Sequence, residues 1–205
     1  ITVDRKGDHS LRKTVADMRG ILPPLLAIVI ARGFMHASLT AFLPLFILQQ
    51  TGNVWLAGSA LALFEGAGVA GVLAVGSLSD RLGRKNMLMF SLVIAPLALF
   101  AFVFSPGWCK ALALIVTGFT LLSTTPVMLA MIQECSGEGS SSANGIFMMF
   151  SFLARSAVVV AVGFIGDHLG LVSTYAISAL IGLTAIPFVM VLSERKPQNQ
   201  NWTEA

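Results

Sequence analysis

Six apolar runs, each about as long as a bilayer's hydrocarbon core is thick, leave this chain little choice of fold. They extend from about Ile21 to Ile47, Trp55 to Val75, Met87 to Phe104, Trp108 to Ile132, Ala143 to Ile165 and Leu171 to Leu192. About 20 such residues make one helical crossing, and inside hydrocarbon a helix satisfies its own backbone polar groups. With 56% hydrophobic and 11% charged residues and a mean hydropathy of +0.83, the 205-residue chain is too apolar for a soluble domain. The reading is an all-α membrane protein of six transmembrane helices. Pro23, Pro24, Pro44, Pro96, Pro126 and Pro187 fall inside the runs, where neighbours can satisfy the freed carbonyls, so kinked helices are expected.

The basic residues orient the bundle. Arg5, Lys6, Arg12, Lys13 and Arg19 precede the first run, Arg81, Arg84 and Lys85 follow the second, and Arg195 and Lys196 follow the sixth. Only Lys110 falls on the other side, so the positive-inside rule places both termini in the cytoplasm of a multi-pass protein of the cell's plasma or inner membrane. Trp55 and Trp108 then sit at the outer interface, where an indole is favoured. The Glu134 to Ser142 connector, ECSGEGSSS, is expected on the cytoplasmic side too. The net charge of +3 is accounted for by these connectors, which argues against nucleic acid as a partner. Residues 1–20 read as a cytoplasmic segment cut from a longer chain, residues 21–192 as the bundle, and residues 193–205 as a cytoplasmic tail. Cys109 and Cys135 lie at opposite ends of one run, too far apart to pair.

Between the second and third runs the chain reads GSLSDRLGRK, a basic connector of about ten residues. Val75 to Gly83 (VGSLSDRLG) is echoed by Val162 to Gly170 (VGFIGDHLG), the first copy ending the second helix and the other ending the fifth. The copies therefore fall on opposite sides of the membrane, the sign of two inverted three-helix repeats. Gly76, Leu78, Asp80, Arg81, Gly83, Arg84 and Lys85 match the loop signature G-x-L-x-D-R-x-G-R-[RK] at every specified position. On these residues, and on helix count and loop order, the chain resembles the major facilitator superfamily. That resemblance implies one half of a twelve-helix transporter, with the substrate bound between the halves near the bilayer centre and no cofactor or metal. The fourth run lacks the arginine and the fifth the Gly-Pro pair usual in the family's first half, so the second half is favoured. The partner is then a missing N-terminal six-helix half. In the family this loop is thought to latch the cytoplasmic helix ends in one alternating state, a role that carries to Asp80, Arg81 and Arg84 within the loop Gly76, Asp80, Arg81, Gly83, Arg84 and Lys85.

Four ionisable residues fall near the middle of runs: Arg32 and His36 in the first, Glu65 in the second and Arg155 in the fifth. A charge there costs about 2.5 to 3.5 kcal/mol on insertion scales, so each is expected to face the bundle interior, water or a partner. Arg32 and His36 are four apart and share a helix face. In one reading the four form a substrate and proton pathway, with Glu65 exchanging a proton while an arginine alternates between it and the substrate. In the other, Glu65 makes a permanent ion pair that fixes packing. Two arginines against one carboxylate leave a surplus positive charge that an anionic substrate, or an acid in the missing half, would balance.

Thr117, Thr120, Ser123, Thr124 and Thr125 read as helix packing or as a polar path. Phe34, Phe42, Phe46, Phe64, Met148 and Met149 read as packing or as a greasy substrate wall, and Gly66, Gly68 and Gly71 as sites of close helix approach. The leading function is secondary active transport by alternating access, as a proton-coupled antiporter that effluxes small organic or drug-like compounds. An uptake symporter for a small organic anion or other solute uses the same fold. A six-helix channel or an intramembrane enzyme is the rival class, but the chain holds no HExxH pair, phosphate loop or filter sequence.

Overall fold

The computed structural model describes residues 20–136 and 140–192; within it the side chains at 76–77, 80–82, 135–136 and 140 lie outside the described set. The described chain forms α1 (Leu22–Thr51), α2 (Val54–Leu82), α3 (Arg84–Phe104), α4 (Trp108–Ser136), α5 (Ser140–Leu169), α6 (Leu171–Leu183) and α7 (Ala185–Val191). These supply six segments long and apolar enough to cross a membrane, the sixth made of α6 and α7 together. The runs read from hydropathy correspond one for one. The helices overshoot them by a turn or more at several ends, because polar end residues continue the backbone ladder past the hydrocarbon.

The largest overshoot corrects the expected ten-residue connector. α2 continues through Leu82 and α3 begins at Arg84, so Gly83 alone is the turn. Its φ of 88° and ψ of 133° lie where a side chain is strained, and its N–H closes α2 on the Ser79 carbonyl at 3.1 Å. Gly170 repeats this at the opposite end of the bundle, with φ 78° and ψ 161° and its N–H on the Gly166 carbonyl at 3.0 Å. The VGSLSDRLG and VGFIGDHLG echo is therefore one helix-glycine-helix corner used twice, as two inverted three-helix units require.

Pro23 stands in the first turn of α1, where its missing N–H costs nothing, and Pro44, Pro96 and Pro126 lie inside unbroken helices. Only the sixth crossing is interrupted, at Thr184, three residues before Pro187. Asn53 starts α2 by accepting from the backbone N–H groups of Trp55 (2.9 Å) and Leu56 (3.3 Å).

α4 packs against α2 and α3, while α1 packs against α5 and α6. Buried apolar side chains gather toward both ends. Leu25, Leu88, Val127, Ile132 and Val189 fill the Gly83 end, and Met35, Phe64, Leu99, Phe102 and Tyr175 the other. There Phe46, Phe102 and Tyr175 form an aromatic trio with centroids 4.9 to 5.8 Å apart, and the Tyr175 hydroxyl donates to the Ser38 carbonyl at 3.1 Å. Lipid is as apolar as these side chains, so close backbone approach matters more than burial. Gly68, Gly71 and Gly118 supply it along the α2–α4 seam, whereas Gly66 faces open space. α2 and α5 keep broad apolar faces exposed, including Val69, Leu73, Phe152, Val160 and Phe164.

Candidate functional site

Arg32 is buried, with 5% of its surface exposed, and α4 holds it. Its Nη1 donates to the Leu121 carbonyl at 3.0 Å and to the Thr124 hydroxyl, and its Nη2 donates to Thr125 Oγ1 at 2.7 Å. A guanidinium presents donors in a fixed fork, which suits three acceptors gathered within about one turn of a single helix. The hydroxyl-rich stretch thus divides by role. Thr117, Thr120 and Thr124 each return a bond of 2.7 Å to their own helix and Ser123 one of 2.8 Å, and of these hydroxyls Thr124, with Thr125, also accepts from the arginine.

Four residues on, His36 shares that face of α1. Gly33 lies between them, and a Cβ on it would stand 3.7 Å from Val158, so α1 and α5 lie close here. One turn back along α5 are Arg155 and, four residues further, Ser151. Arg32, His36, Thr125, Ser151 and Arg155 all line one cavity of about 190 Å³ between α1, α4 and α5, near the middle of each helix. Three buried polar atoms in these residues have no hydrogen-bond partner: Arg32 Nε, His36 Nδ1 and Ser151 Oγ. Such atoms are costly unless something else satisfies them. The rest of the wall is apolar, with Met128, Phe147, Met148 and Phe152.

Of the four mid-span ionisable residues, the fold joins three. Glu65 is partly buried on α2, outside the cavity lining, and among the described residues no ion pair joins it to Arg32 or Arg155. The apolar candidates also divide. Phe46 and Phe64 are core, Phe34 and Phe42 pack with Val158 and Val162, Met148 lines the cavity and Met149 is exposed. Ser151 carries no sequence signal of a site beyond its polarity, whereas Thr124 and Thr125 belong to the hydroxyl-rich stretch read as packing or as a polar path, and Thr125 lines the cavity.

A second cavity, about 570 Å³, opens between α1, α2 and α4 at the end opposite Gly83. Its one base, Lys110, donates to Gln50 Oε1 at 2.6 Å and stands over the rings of Phe46 (5.3 Å) and Phe102 (5.8 Å).

Of the loop residues expected to form a latch, Gly76, Asp80 and Arg81 fall in the last turns of α2, and the side chains of Gly76, Asp80 and Arg81 lie outside the described residues. Arg84 Nη2 pairs with Glu134 at 2.9 Å, tying α3 to the end of α4. Lys85 Nζ donates to the carbonyls of Met190 (3.1 Å) and Leu192 (2.6 Å), where a cation meets the negative end of α7. The Arg84 and Glu134 side chains keep 23% and 48% of their surface exposed. Either neutralisation, Arg84→Gln or Glu134→Gln, should therefore lower thermal stability by at most about 1 kcal/mol, read by thermal unfolding in detergent.

A bundle of six apolar helices, joined in part by glycine corners, is the architecture of a multi-pass membrane protein. The Major Facilitator Superfamily model matches residues 25–204, and the chain belongs to that family. It is similar to an MFS-type efflux pump of Mycolicibacterium smegmatis, 29% identical over 160 residues, covering 72% of this chain and 37% of the relative. It is also similar to the 3-(3-hydroxy-phenyl)propionate transporter of Escherichia coli, 28% identical over 145 residues, covering 69% and 34%. A third relative, the E. coli cyanate transport protein, is 29% identical over 101 residues, covering 49% and 26%. The chain spans about a third of the length of the first two relatives.

Proposed function

We propose that this chain is the second six-helix half of a secondary active transporter that works by alternating access, with the Gly83 end in the cytoplasm, and that it carries a small organic anion. The observation that carries this reading is the mid-span cavity, which gathers Arg32, Arg155 and His36 with no carboxylate among its lining residues. A charge held in that position against its insertion cost is best balanced by a ligand of opposite sign. The apolar wall suits the ligand's body, since a cavity of about 150 Å³ accommodates a benzene ring. Two relatives are named for anions, a substituted propionate and cyanate, which supports the same substrate class.

Proton-coupled efflux of drug-like compounds is the second reading. The methionine and phenylalanine wall favours it, as does the relative named an efflux pump. Flux into proteoliposomes of the full-length transporter separates the two, using benzoate and 3-phenylpropionate against the cation tetraphenylphosphonium. The anions should be carried and the cation not. Arg155→Ala should cut anion kcat/KM at least tenfold, about 1.4 kcal/mol, with partial recovery in Arg155→Lys. Anion flux unchanged in both variants removes the anion reading, and proton-driven export of the cation, lost in Glu65→Gln, establishes the second.

A further inference from the structure

We infer that Ser151 binds a hydroxyl group on the body of the anion, so that the cavity takes hydroxylated aromatic carboxylates in preference to plain ones. This rests on the anion reading above and adds a second polar group that the substrate must carry. A serine or threonine inside a helix commonly returns its hydroxyl to a carbonyl three or four residues before it. Ser38, Thr40, Thr117, Ser123, Ser156 and Thr174 do so at 2.7 to 3.0 Å. Ser151 stands in the interior of α5 and does not: its Oγ is buried without a hydrogen-bond partner, on the cavity wall. Its own helix offers the same kind of acceptor, so a hydroxyl left unpaired there points to a partner that enters from the cavity.

The polar groups of the cavity fall at two levels. α1 and α5 both start in the core at the Gly83 end and run toward the Gly170 end. Gly33 lies against Val158, which sets Arg32 and His36 level with the part of α5 beyond Ser151. The two arginines and the histidine therefore line the side nearer Gly170. Ser151, one turn before Arg155, lines the side nearer Gly83. Around it the wall is apolar, with Phe147 one turn earlier on α5, Met148 beside it and Met128 from α4. Phe147 and Met128 continue into the buried core of that end, so this part of the wall is fixed by packing.

Each level asks for a different group. Arg32 Nε, unpaired, and the Arg155 guanidinium can only donate, and a carboxylate is the acceptor that suits them. An anion held there lays its body along Met128, Phe147 and Met148, a setting of thioethers and a ring that suits an aromatic ligand. Ser151 and Arg155 are one turn apart, about 6 Å along the axis, so that body is short, of the order of one benzene ring. The cavity, about 190 Å³, has room for it. At its far end the ligand meets Ser151 Oγ, which both donates and accepts and so matches a hydroxyl. A methyl group of the same shape leaves the serine unpaired, and a site built to bond a hydroxyl rejects such an analogue.

Isothermal titration of the purified full-length transporter tests this with benzoate, the 3- and 4-hydroxybenzoates and the 3- and 4-methylbenzoates. In the wild type at least one hydroxybenzoate should bind about tenfold or more tighter than benzoate and than the methylbenzoate of the same position, about 1.4 kcal/mol. In Ser151→Ala that preference should vanish, the hydroxybenzoate losing affinity while the methylbenzoate keeps or gains it. A serine that only packs would shift all five ligands alike. Ser156→Ala should keep the preference, since that hydroxyl is spent on the Phe152 carbonyl at 3.0 Å. Wild-type binding of benzoate and the methylbenzoates as tightly as the hydroxybenzoates overturns the inference and leaves the anion reading standing; this measurement needs no variant to fold. A preference that persists in Ser151→Ala also overturns it. Failure of all five anions to bind removes the anion reading and this inference together.

Discussion

Arg32→Ala is expected to lower anion transport at least 100-fold, about 2.7 kcal/mol, while changing thermal stability by no more than about 1 kcal/mol. The two halves of that statement have separate physical grounds. Removing the guanidinium relieves an insertion cost of about 2.5 to 3.5 kcal/mol. It also deletes hydrogen bonds to the Leu121 carbonyl and the Thr124 and Thr125 hydroxyls. Each bond to a charged group is worth about 1.5 to 3 kcal/mol in water-soluble proteins. Within a membrane the net is smaller, near 0.6 kcal/mol on average, because the unfolded helices find partners too. Loss and relief nearly cancel in stability, whereas nothing replaces the charge for an anion in the cavity. Arg32→Lys should recover less than about a tenth of the flux, because an ammonium cannot fill three acceptor positions along α4 and still face the cavity. Parallel transport and melting measurements decide the matter. An Arg32→Ala protein that melts far below wild type makes Arg32 a packing residue, and one that transports normally removes it from the site.

The second large effect lies in the α2–α4 seam. A Cβ on Gly71 would stand 2.2 Å from the Phe119 carbonyl oxygen, and one on Gly118 would stand 2.3 Å from that of Phe64. Both obstacles are backbone, so no rotamer change relieves them and the helices must separate by about 1 Å along their length. Overpacking commonly costs about 1 to 3 kcal/mol, and a backbone clash falls at the upper end or beyond. Gly71→Ala and Gly118→Ala should each lose about 3 kcal/mol or more, seen as a large fall in melting temperature and in yield of folded protein. Gly66→Ala is the control, because nothing lies within 4 Å of its added carbon. It should be neutral or slightly stabilising, since alanine favours helix over glycine by about 0.8 to 1 kcal/mol. Equal behaviour of Gly66→Ala and Gly71→Ala would contradict the seam.

Much of the fold was legible because its signals are local. A run's length tells whether it spans a bilayer, and hydrocarbon then forces that run to be helix. Gly83 and Gly170 announced their corners through the echo around them, although the corner itself proved to be one residue where ten were expected. The site was legible only in its inventory. Spacing gave Arg32 and His36 a shared face of one helix, but no spacing relates them to Arg155, more than a hundred residues away, or separates them from Glu65. The hydroxyls that hold Arg32 were indistinguishable in sequence from Thr117 and Thr120, which only pack.

The chain's sequence by itself determined six crossings, two repeated corners and the family, since each depends on residues near one another along the chain. Tertiary structure decided which charges meet. The close approach of α1 to α5 at Gly33 and Val158, and of α2 to α4 at Gly68, Gly71 and Gly118, sets how the helices are placed and turned. That placement puts Arg32, His36 and Arg155 around one cavity and leaves Glu65 outside it. The physical reason is that helix rotation in a bilayer follows from side-chain fit between segments, a long-range property that no single run contains.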